Sequence, residues 1–320
     1  MTQGAPKELF EKGIISEEQF RKIDLVTSGK IVSVFYELRS LLYLGVMLFT
    51  AGVGILIYEN IGDIGHIVSI ITLTILTATC FVYVFKKGPP YANTTVKPPT
   101  PYFDYITLLG SLLFISVQGY LQFQFGWLDN NLGVSTLVTA VFFSYIAYRF
   151  DHAGVLSLGV TALASFCGIS TSPQKWYSST FFSDSNLHII GICFSVVLIA
   201  AGLILNHRKI KTHFTFTYLN FGLLIFFIAS LAGVFLGGFY GIFLVLIYAA
   251  SGFCYYIALQ QRAFIFLLYA FLASYIATTY FLADVVIRDE ITIWFFYSIA
   301  SCGAFIYFIV TFRNHFKQQS

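Results

Sequence analysis

The chain has 320 residues, of which 58% are hydrophobic and 10% charged, and its formal net charge is +3. An ordinary soluble domain carries roughly 25% charged residues, so this composition excludes that class. Long runs with almost no charge are typical of helices that cross a bilayer, which need about 20 consecutive apolar residues. The sequence therefore predicts an all-α, polytopic helical membrane protein.

Residues 1–39 are more polar and precede the predicted membrane domain, 40–320. In PKELFEKGIISEEQFRKI, Pro6 suits the first turn of a helix, Gly13 suits a helix stop, and Ser16 with Gln19 forms a capping box. The stretch resembles a small two-helix motif of bacterial membrane proteins, which implies docking or oligomerisation. The next segment, KIVSVFYELRS, predicts either an interfacial amphipathic helix or an extension of the first span.

Ten apolar segments follow, each long enough to cross a bilayer. The least certain boundary is the one between the seventh and eighth, at Gly237-Gly238, where no charged residue separates the two runs. The predicted spans are 40–58, 65–85, 103–122, 132–148, 153–169, 187–205, 214–235, 238–258, 263–282 and 292–312. They divide into two groups of five, 40–169 and 187–312.

The placement of the basic residues predicts the orientation. With ten spans and a cytoplasmic amino terminus, all of the 18 basic residues except Lys175 and Arg288 fall on the cytoplasmic side. Short cytoplasmic loops carry such an excess of Lys and Arg. We therefore expect a bacterial inner-membrane protein with both termini in the cytoplasm.

Two of the predicted cytoplasmic loops have a distinctive composition. KKGPPYANTTVKPPTP, residues 86–101, holds five of the seven prolines and predicts an extended, stiff linker. NHRKIKTH, residues 206–213, is basic, and we expect it to contact anionic lipid headgroups. A phosphate or nucleotide site there is the alternative.

The turn between the first two spans gathers polar residues at the predicted outer face. Asn60 suits a helix stop and Asp63 an amino-terminal cap, so the turn reads as a tight helical hairpin, in which Gly45 and Gly52 let the two helices lie close. This interpretation leaves Glu59 and His66 unexplained. The alternative is that Glu59, Asn60, Asp63 and His66 form a candidate polar cluster that binds a cation or a polar headgroup.

No predicted span contains Asp, Glu, Lys, Arg or His in its central part, which argues against a proton relay. The neutral residues Gln118, Gln122 and Asn220 are the candidate intramembrane polar groups. They form hydrogen bonds between helices or line a polar cavity. No catalytic motif or metal-ligand spacing is present, so the sequence predicts no enzyme, no catalytic residue, no metal and no cofactor.

Two sequence stretches together carry a family resemblance. ELFEKGIISEEQF and LRSLLYLGVMLFTAGVGILIYENIGDIGH resemble the bacterial membrane proteins grouped as domain of unknown function 2157. The resemblance is strong over about residues 7–85 and general beyond. It implies an inner-membrane protein with a cytoplasmic amino terminus and implies no established activity.

Two functions rank first for such a protein, ahead of an enzyme that acts on a lipid-linked substrate at the outer face through Glu59, Asp63 and His66. The favoured hypothesis is a non-enzymatic membrane scaffold or accessory subunit, whose residues 1–39 bind a protein partner or a second copy. The alternative is a carrier of a lipid or small solute, built from two five-helix halves in opposite orientation. Membrane lipids are the other expected partners, and nucleic acid is not expected. A polar cavity lined by Gln118, Gln122 or Asn220 would favour the carrier.

Overall fold

A computed structural model describes residues 16–17, 35–59, 63–126, 132–171, 185–236, 240–261, 263–283, 295–303 and 306. Within these ranges the secondary structure is helical and no strand is present. The helices are α1 (Phe35–Glu59), α2 (Asp63–Lys87), α3 (Phe103–Phe125), α4 (Leu132–Phe150), α5 (Ala153–Thr171), α6 (Ser185–His207), α7 (Phe214–Leu236), α8 (Tyr240–Gln261) and α9 (Phe264–Phe281). Residues 295–303 are also helical.

Seven helices in the described part of the chain are long and apolar enough to cross a membrane: α2, α3, α4, α6, α7, α8 and α9. Two shorter apolar stretches, Ser40–Val53 in α1 and Ala153–Gly168 in α5, accompany them. Most of the tenth predicted span lies outside the described residues. The structure therefore shows a helical, membrane-type protein, and the full count of ten spans stays a prediction.

Consecutive helices form the closest pairs, α4 with α5 and α6 with α7. Glycine allows α6 and α7 to approach closely, because a Cβ atom on Gly222 of α7 would lie 2.7 Å from Cγ1 of Ile199 on α6. Small residues at helix interfaces let backbones approach in this way. Helices α7, α8 and α9 bury the largest apolar cluster, which includes Leu223, Ile257 and Phe266.

The first two helices do not pack as the hairpin interpretation predicted. Helix α1 lies mainly against α3, where the rings of Tyr43 and Tyr105 are 5.1 Å apart. An added Cβ on Gly45 or Gly52 would meet no atom within 4 Å, so neither glycine serves a close helix contact. The prediction that these glycines bring α1 and α2 together is therefore wrong. The contacts that α1 makes with its neighbours come from larger side chains such as Val53, which packs against the apolar cluster of α2 and α3.

Two other boundaries bear on the sequence predictions. Residues 35–39 belong to the same unbroken helix as the first span, which agrees with the extension of that span. Helices α7 and α8 are separate, since α7 ends at Leu236 and α8 begins at Tyr240. The proposed two-helix motif before residue 35 lies outside the described residues, apart from Ser16 and Glu17.

Candidate functional site

The helix bundle has two distinct ends. The basic end is formed by the carboxyl ends of α2, α4 and α6 and the amino ends of α3, α5 and α7. It carries Lys86, Lys87, Arg149, Lys209 and Lys211. The opposite end of the same six helices is called here the cavity end, because two cavities lie in that half of the bundle.

The first cavity, the α3–α5 cavity, lies between α3, α4 and α5 and has a volume of about 340 Å³. Gln118 and Gln122 of α3 both belong to its wall. The rest of the wall consists of hydroxyl groups of α4 and α5 and of apolar side chains. The wall consists of Ile115, Gln118, Gly119, Gln122, Leu132, Ser135, Thr136, Thr139, Leu158, Thr161, Ala162 and Ser165.

The side chain of Gln118 ties α3 to α4 at the edge of this cavity. Its Nε2 donates to the backbone oxygen of Ser135 at 2.7 Å and also contacts the Ser135 hydroxyl. Its Oε1 accepts a hydrogen bond from the Thr139 hydroxyl. Gln118 therefore bonds between helices and also lines a cavity, although that cavity is mostly apolar and not the polar cavity of the sequence hypothesis.

Asn220 occupies a different place in the bundle. Its Oδ1 accepts a hydrogen bond of 3.1 Å from the Tyr269 hydroxyl, which joins α7 to α9. It belongs to neither of the two cavity walls. The three candidate polar residues thus separate into a pair at one cavity, Gln118 and Gln122, and an interhelical link made by Asn220.

The second cavity, the α5–α7 cavity, lies between α5, α6 and α7 and has a volume of about 480 Å³. Its wall is mostly apolar and includes one histidine, His188. The lining residues are Thr161, Ala164, Ser165, Cys167, Gly168, Leu187, His188, Ile190, Gly191, Phe194, Ile225, Ile228, Ala229 and Ala232. Thr161 and Ser165 also line the first cavity, so the two cavities meet along α5.

A stripe of hydroxyl groups follows the exposed face of α5 where the cavities meet. Ser157, Thr161 and Ser165 are spaced four residues apart, and each donates to the backbone oxygen four positions earlier, at 2.9–3.0 Å. A hydroxyl oxygen that donates its proton in this way still has lone pairs with which to accept a hydrogen bond. The stripe therefore presents acceptors along a mostly apolar helix.

His66, from the predicted outer cluster, has a partner on another helix. Its Nδ1 forms a hydrogen bond with the hydroxyl of Tyr120 on α3, and the two rings lie 5.9 Å apart. Asn60 and the side chains of Glu59 and Asp63 lie outside the described residues. Among the residues that are described, no group of three His, Cys, Asp or Glu is arranged to hold a metal ion. His66 is thus placed by Tyr120, and the remainder of the predicted cluster stays a prediction.

The basic end is closed by a buried ion pair that the sequence analysis did not identify. Asp151 sits between α4 and α5, and Lys211 between α6 and α7; their side chains are only 3% and 1% exposed. Lys211 Nζ donates to Asp151 Oδ1 at 2.7 Å, and the backbone N–H of Val96 donates to Oδ2 at 2.7 Å. His213 Nε2 lies 2.8 Å from Asp151 Oδ1, at ion-pair distance when the imidazole is protonated. One carboxylate thus joins three loops.

The backbone around this pair is shaped to fit it. Asp151 and Lys211 both have a positive φ, 62° and 46°, which is uncommon for residues other than glycine. Such conformations persist where the surroundings hold them in place. Here the Lys211 N–H donates to the Asn93 oxygen at 2.8 Å, and Nζ lies 5.3 Å from the centre of the Tyr91 ring.

These contacts change the interpretation of the two basic-end loops. The proline-rich loop 86–101, predicted as an extended, stiff linker, is attached to the bundle, because Asn93 and Val96 bind the buried pair and Pro89 accepts a hydrogen bond of 2.6 Å from Arg149. In the 206–213 loop, Lys211 faces Asp151 inside the protein, while Arg208 and Lys209 remain exposed. The expectation of headgroup contact therefore holds no longer for Lys211 and stays a prediction for the other two.

A sequence signal for this site exists in hindsight. Asp151 is an acidic residue three positions after a predicted span, at the end of the bundle where the sequence places most of its basic residues. A carboxylate among many cations favours an ion pair. The sequence does not say which cation is the partner, because 60 residues separate Asp151 from Lys211.

Comparison with known proteins adds no assignment. No family model matches this chain, and no curated protein and no solved structure is significantly similar to it.

Proposed function

We propose that this protein is a membrane carrier that accepts an apolar or amphipathic molecule in the cavities beside α5. The observation that carries the proposal is the contrast between the two ends of the bundle. The basic end is closed by Asp151, Lys211 and the apolar side chains around them, whereas two adjoining cavities lie between α5 and its neighbours α3 and α6 at the other end. Carriers alternate between states in which one end is closed around a central site.

The size and chemistry of the cavities support a lipid-like cargo. Volumes of about 340 and 480 Å³ lie within the range of about 300–1,000 Å³ that small-molecule sites occupy. Ile115 and Ile228 line the cavities and are 39% and 57% exposed on the apolar outer surface. A molecule dissolved in the membrane can reach both cavities from that surface without passing through water.

The proposed arrangement in the membrane follows the sequence prediction. Ten spans, both termini in the cytoplasm of a bacterial cell, and the basic end at the cytoplasmic face agree with the excess of Lys and Arg in short loops there. In this orientation the cavities lie in the outer half of the membrane. The relation to the domain of unknown function 2157 proteins stays a proposal that rests on residues 7–85.

Lipid movement in reconstituted vesicles tests the proposal. Purified protein is placed in vesicles of phosphatidylethanolamine and phosphatidylglycerol that contain one fluorescent lipid, and dithionite then destroys the label in the outer leaflet only. The labelled lipids are a glucosyl diacylglycerol, a phosphatidylcholine and a phosphatidylglycerol with the same acyl chains. A carrier brings label from the inner leaflet to dithionite, so the fluorescence falls further than in vesicles without protein.

Cavity-filling variants supply the control. Ala162→Phe and Ala164→Phe place a ring in the α3–α5 and α5–α7 cavities, whereas Ala200→Phe places the same ring on the exposed surface of α6. The proposal expects the first two to stop lipid movement and the third to leave it unchanged. Movement that is equal in all three variants, or no movement of any labelled lipid with the wild type, contradicts the carrier.

The scaffold hypothesis predicts the opposite result. A scaffold moves no lipid, and its partner binds residues 1–39, almost all of which lie outside the described part of the chain. No feature of the described helices favours the scaffold over the carrier. The scaffold becomes the leading hypothesis if lipid movement is absent. The expectation that the protein is not an enzyme is common to both hypotheses.

A further inference from the structure

The most unusual polar group of the cavity end is the imidazole of His188. It is 8% exposed and belongs to the wall of the α5–α7 cavity. Its ring packs edge-on against Phe243 at 5.3 Å, and its Nδ1 is enclosed without a hydrogen-bond partner. A buried polar atom that lacks a partner destabilises a fold, and nearly all such atoms in proteins have one. His188 therefore has an unused hydrogen-bonding atom beside a cavity.

The position of His188 distinguishes it from the other histidine at this end of the bundle. His66 bonds to Tyr120 and belongs to neither cavity wall. A half-turn of the His188 ring about its Cβ–Cγ bond exchanges Nδ1 with Cδ2, an alternative that ring shape alone does not distinguish. Each edge of the ring carries one nitrogen in either orientation, so His188 can offer a nitrogen to the cavity whose wall it helps to form.

The charges around the cavities limit the chemistry of a ligand. No Asp, Glu, Lys or Arg belongs to either wall among the residues the structure describes, and His188 and Cys167 are the ionisable groups there. An ionic headgroup would lie in an apolar site without a counterion, which is strongly unfavourable. The ligand that fits this wall is uncharged.

The hydrogen-bonding groups narrow the ligand further. Thr161 and Ser165 already donate to their own helix, so towards the cavity they act as acceptors. A neutral imidazole has one donor and one acceptor nitrogen. A hydroxyl group both donates and accepts, and therefore matches the α5 stripe and either form of His188. The apolar wall, which includes Leu187, Phe194 and Ile225, fits a hydrocarbon chain.

We infer that the α5–α7 cavity binds the uncharged, hydroxyl-bearing headgroup of a lipid, with His188 as its hydrogen-bonding anchor and Thr161 and Ser165 as acceptors. A neutral glycolipid has this chemistry. The inference rests on the proposed carrier function and names the class of its cargo. It assigns to His188 a role in selecting the cargo.

The vesicle assay with the matched labelled lipids tests this selectivity. The wild type is expected to move the glucosyl lipid about tenfold faster than the phosphatidylcholine and the phosphatidylglycerol, an effect of the size expected for one hydrogen bond. His188→Phe keeps the ring against Phe243 and removes the nitrogens, so it is expected to remove that preference. His188→Asn restores a polar group near the position of Nδ1 and is expected to recover part of it.

His66→Phe is the matched control, because it removes an imidazole at the same end of the bundle but outside both cavity walls. It is expected to keep the preference for the glucosyl lipid. Gel filtration and the melting temperature confirm that each variant is folded, and Thr161→Val tests the same site without changing His188.

The outcomes separate the two proposals. If the wild type moves all labelled lipids equally, or if neither His188→Phe nor Thr161→Val changes the preference, the headgroup site is wrong while the carrier stands. If no labelled lipid moves, the carrier is wrong and the headgroup site falls with it. A preference that His188→Phe removes and His66→Phe keeps supports both.

Discussion

The basic end and the cavity end of the bundle are built from the same six helices but from different side chains. At the basic end, large rings fill the space between helices, and Phe103, Phe143, Phe150 and Phe214 are all almost fully buried. At the cavity end, the facing positions carry small residues and short hydroxyl side chains, among them Ala162, Ala164, Gly168 and Gly119.

This difference shows how a single helix can be packed tightly near one end and leave space near the other. Near the start of α5, Gly159 fits against α4, where an added Cβ would lie 3.3 Å from the Ser144 nitrogen. Farther along, the α5 residues that line the cavities include Ala162, Ala164 and Gly168, whose small side chains leave space towards α3 and α6. Interiors usually leave few voids larger than a water molecule. The cavities are therefore a local property of the small residues on α5.

Breaking the ion pair at the basic end should have the largest effect. Asp151→Ala leaves Lys211 buried without a partner, so we expect the unfolding free energy to fall by about 3–5 kcal/mol. Asp151→Asn with Lys211→Met removes both charges and should recover much of that loss. Arg208→Ala, at an exposed position in the same loop, should change stability by less than about 0.5 kcal/mol. Steric trapping in bicelles measures each value, and a small effect of Asp151→Ala would contradict the closure described for this end.

A substitution at the α6–α7 contact should have the next largest effect. Gly222→Ala places a methyl group 2.7 Å from the Ile199 side chain and 3.3 Å from the Ser195 carbonyl oxygen. We expect a loss of about 1–3 kcal/mol, as for other overpacked positions. Gly252→Ala, where an added Cβ meets nothing within 4 Å, should be neutral or stabilising by up to about 1 kcal/mol. Equal melting temperatures for the two variants would argue against a tight α6–α7 contact.

Removing the side-chain amide of Gln118, at the cavity end, should lower the unfolding free energy by less than Asp151→Ala or Gly222→Ala. Gln118→Leu deletes the hydrogen bonds to Ser135 and Thr139 between α3 and α4. Hydrogen bonds between membrane helices contribute about 0.6–2 kcal/mol, so we expect a loss in that range. Tyr269→Phe, which removes one hydrogen bond to Asn220, is the comparison, and its loss of unfolding free energy should fall at the low end of that range. A loss for Gln118→Leu as large as that of Asp151→Ala would remove the distinction between the ends.

The hydroxyl stripe should matter least for stability. Thr161→Val removes a hydroxyl that donates only within its own helix, at an exposed position. We expect the unfolding free energy to change by less than about 0.5 kcal/mol, while movement of the glucosyl lipid slows. The vesicle assay and the melting temperature are measured on the same preparation. A variant that is destabilised but moves lipid normally would place Thr161 in the structure of the bundle and outside the ligand site.

The sequence located part of this site and missed the rest. It identified Gln118 and Gln122 as polar groups within a span, because amides are rare in such apolar surroundings. It did not identify His188, which lies close to the end of a predicted span and reads there as a polar boundary residue. It also did not pair Asp151 with Lys211, since hydrogen bonds across 60 residues of sequence leave no periodic pattern.

What the sequence determined by itself is the class of molecule and the approximate position of its helices. Apolar runs bounded by charges and prolines predict membrane helices because an unpaired backbone cannot lie in lipid. Which helices touch was decided by tertiary structure. Helix α1 packs mainly on α3, Asn220 lies away from Gln118, and two cavities open beside α5. Many arrangements of apolar helices are equally compatible with the lipid environment, and the shapes of the facing side chains select one of them.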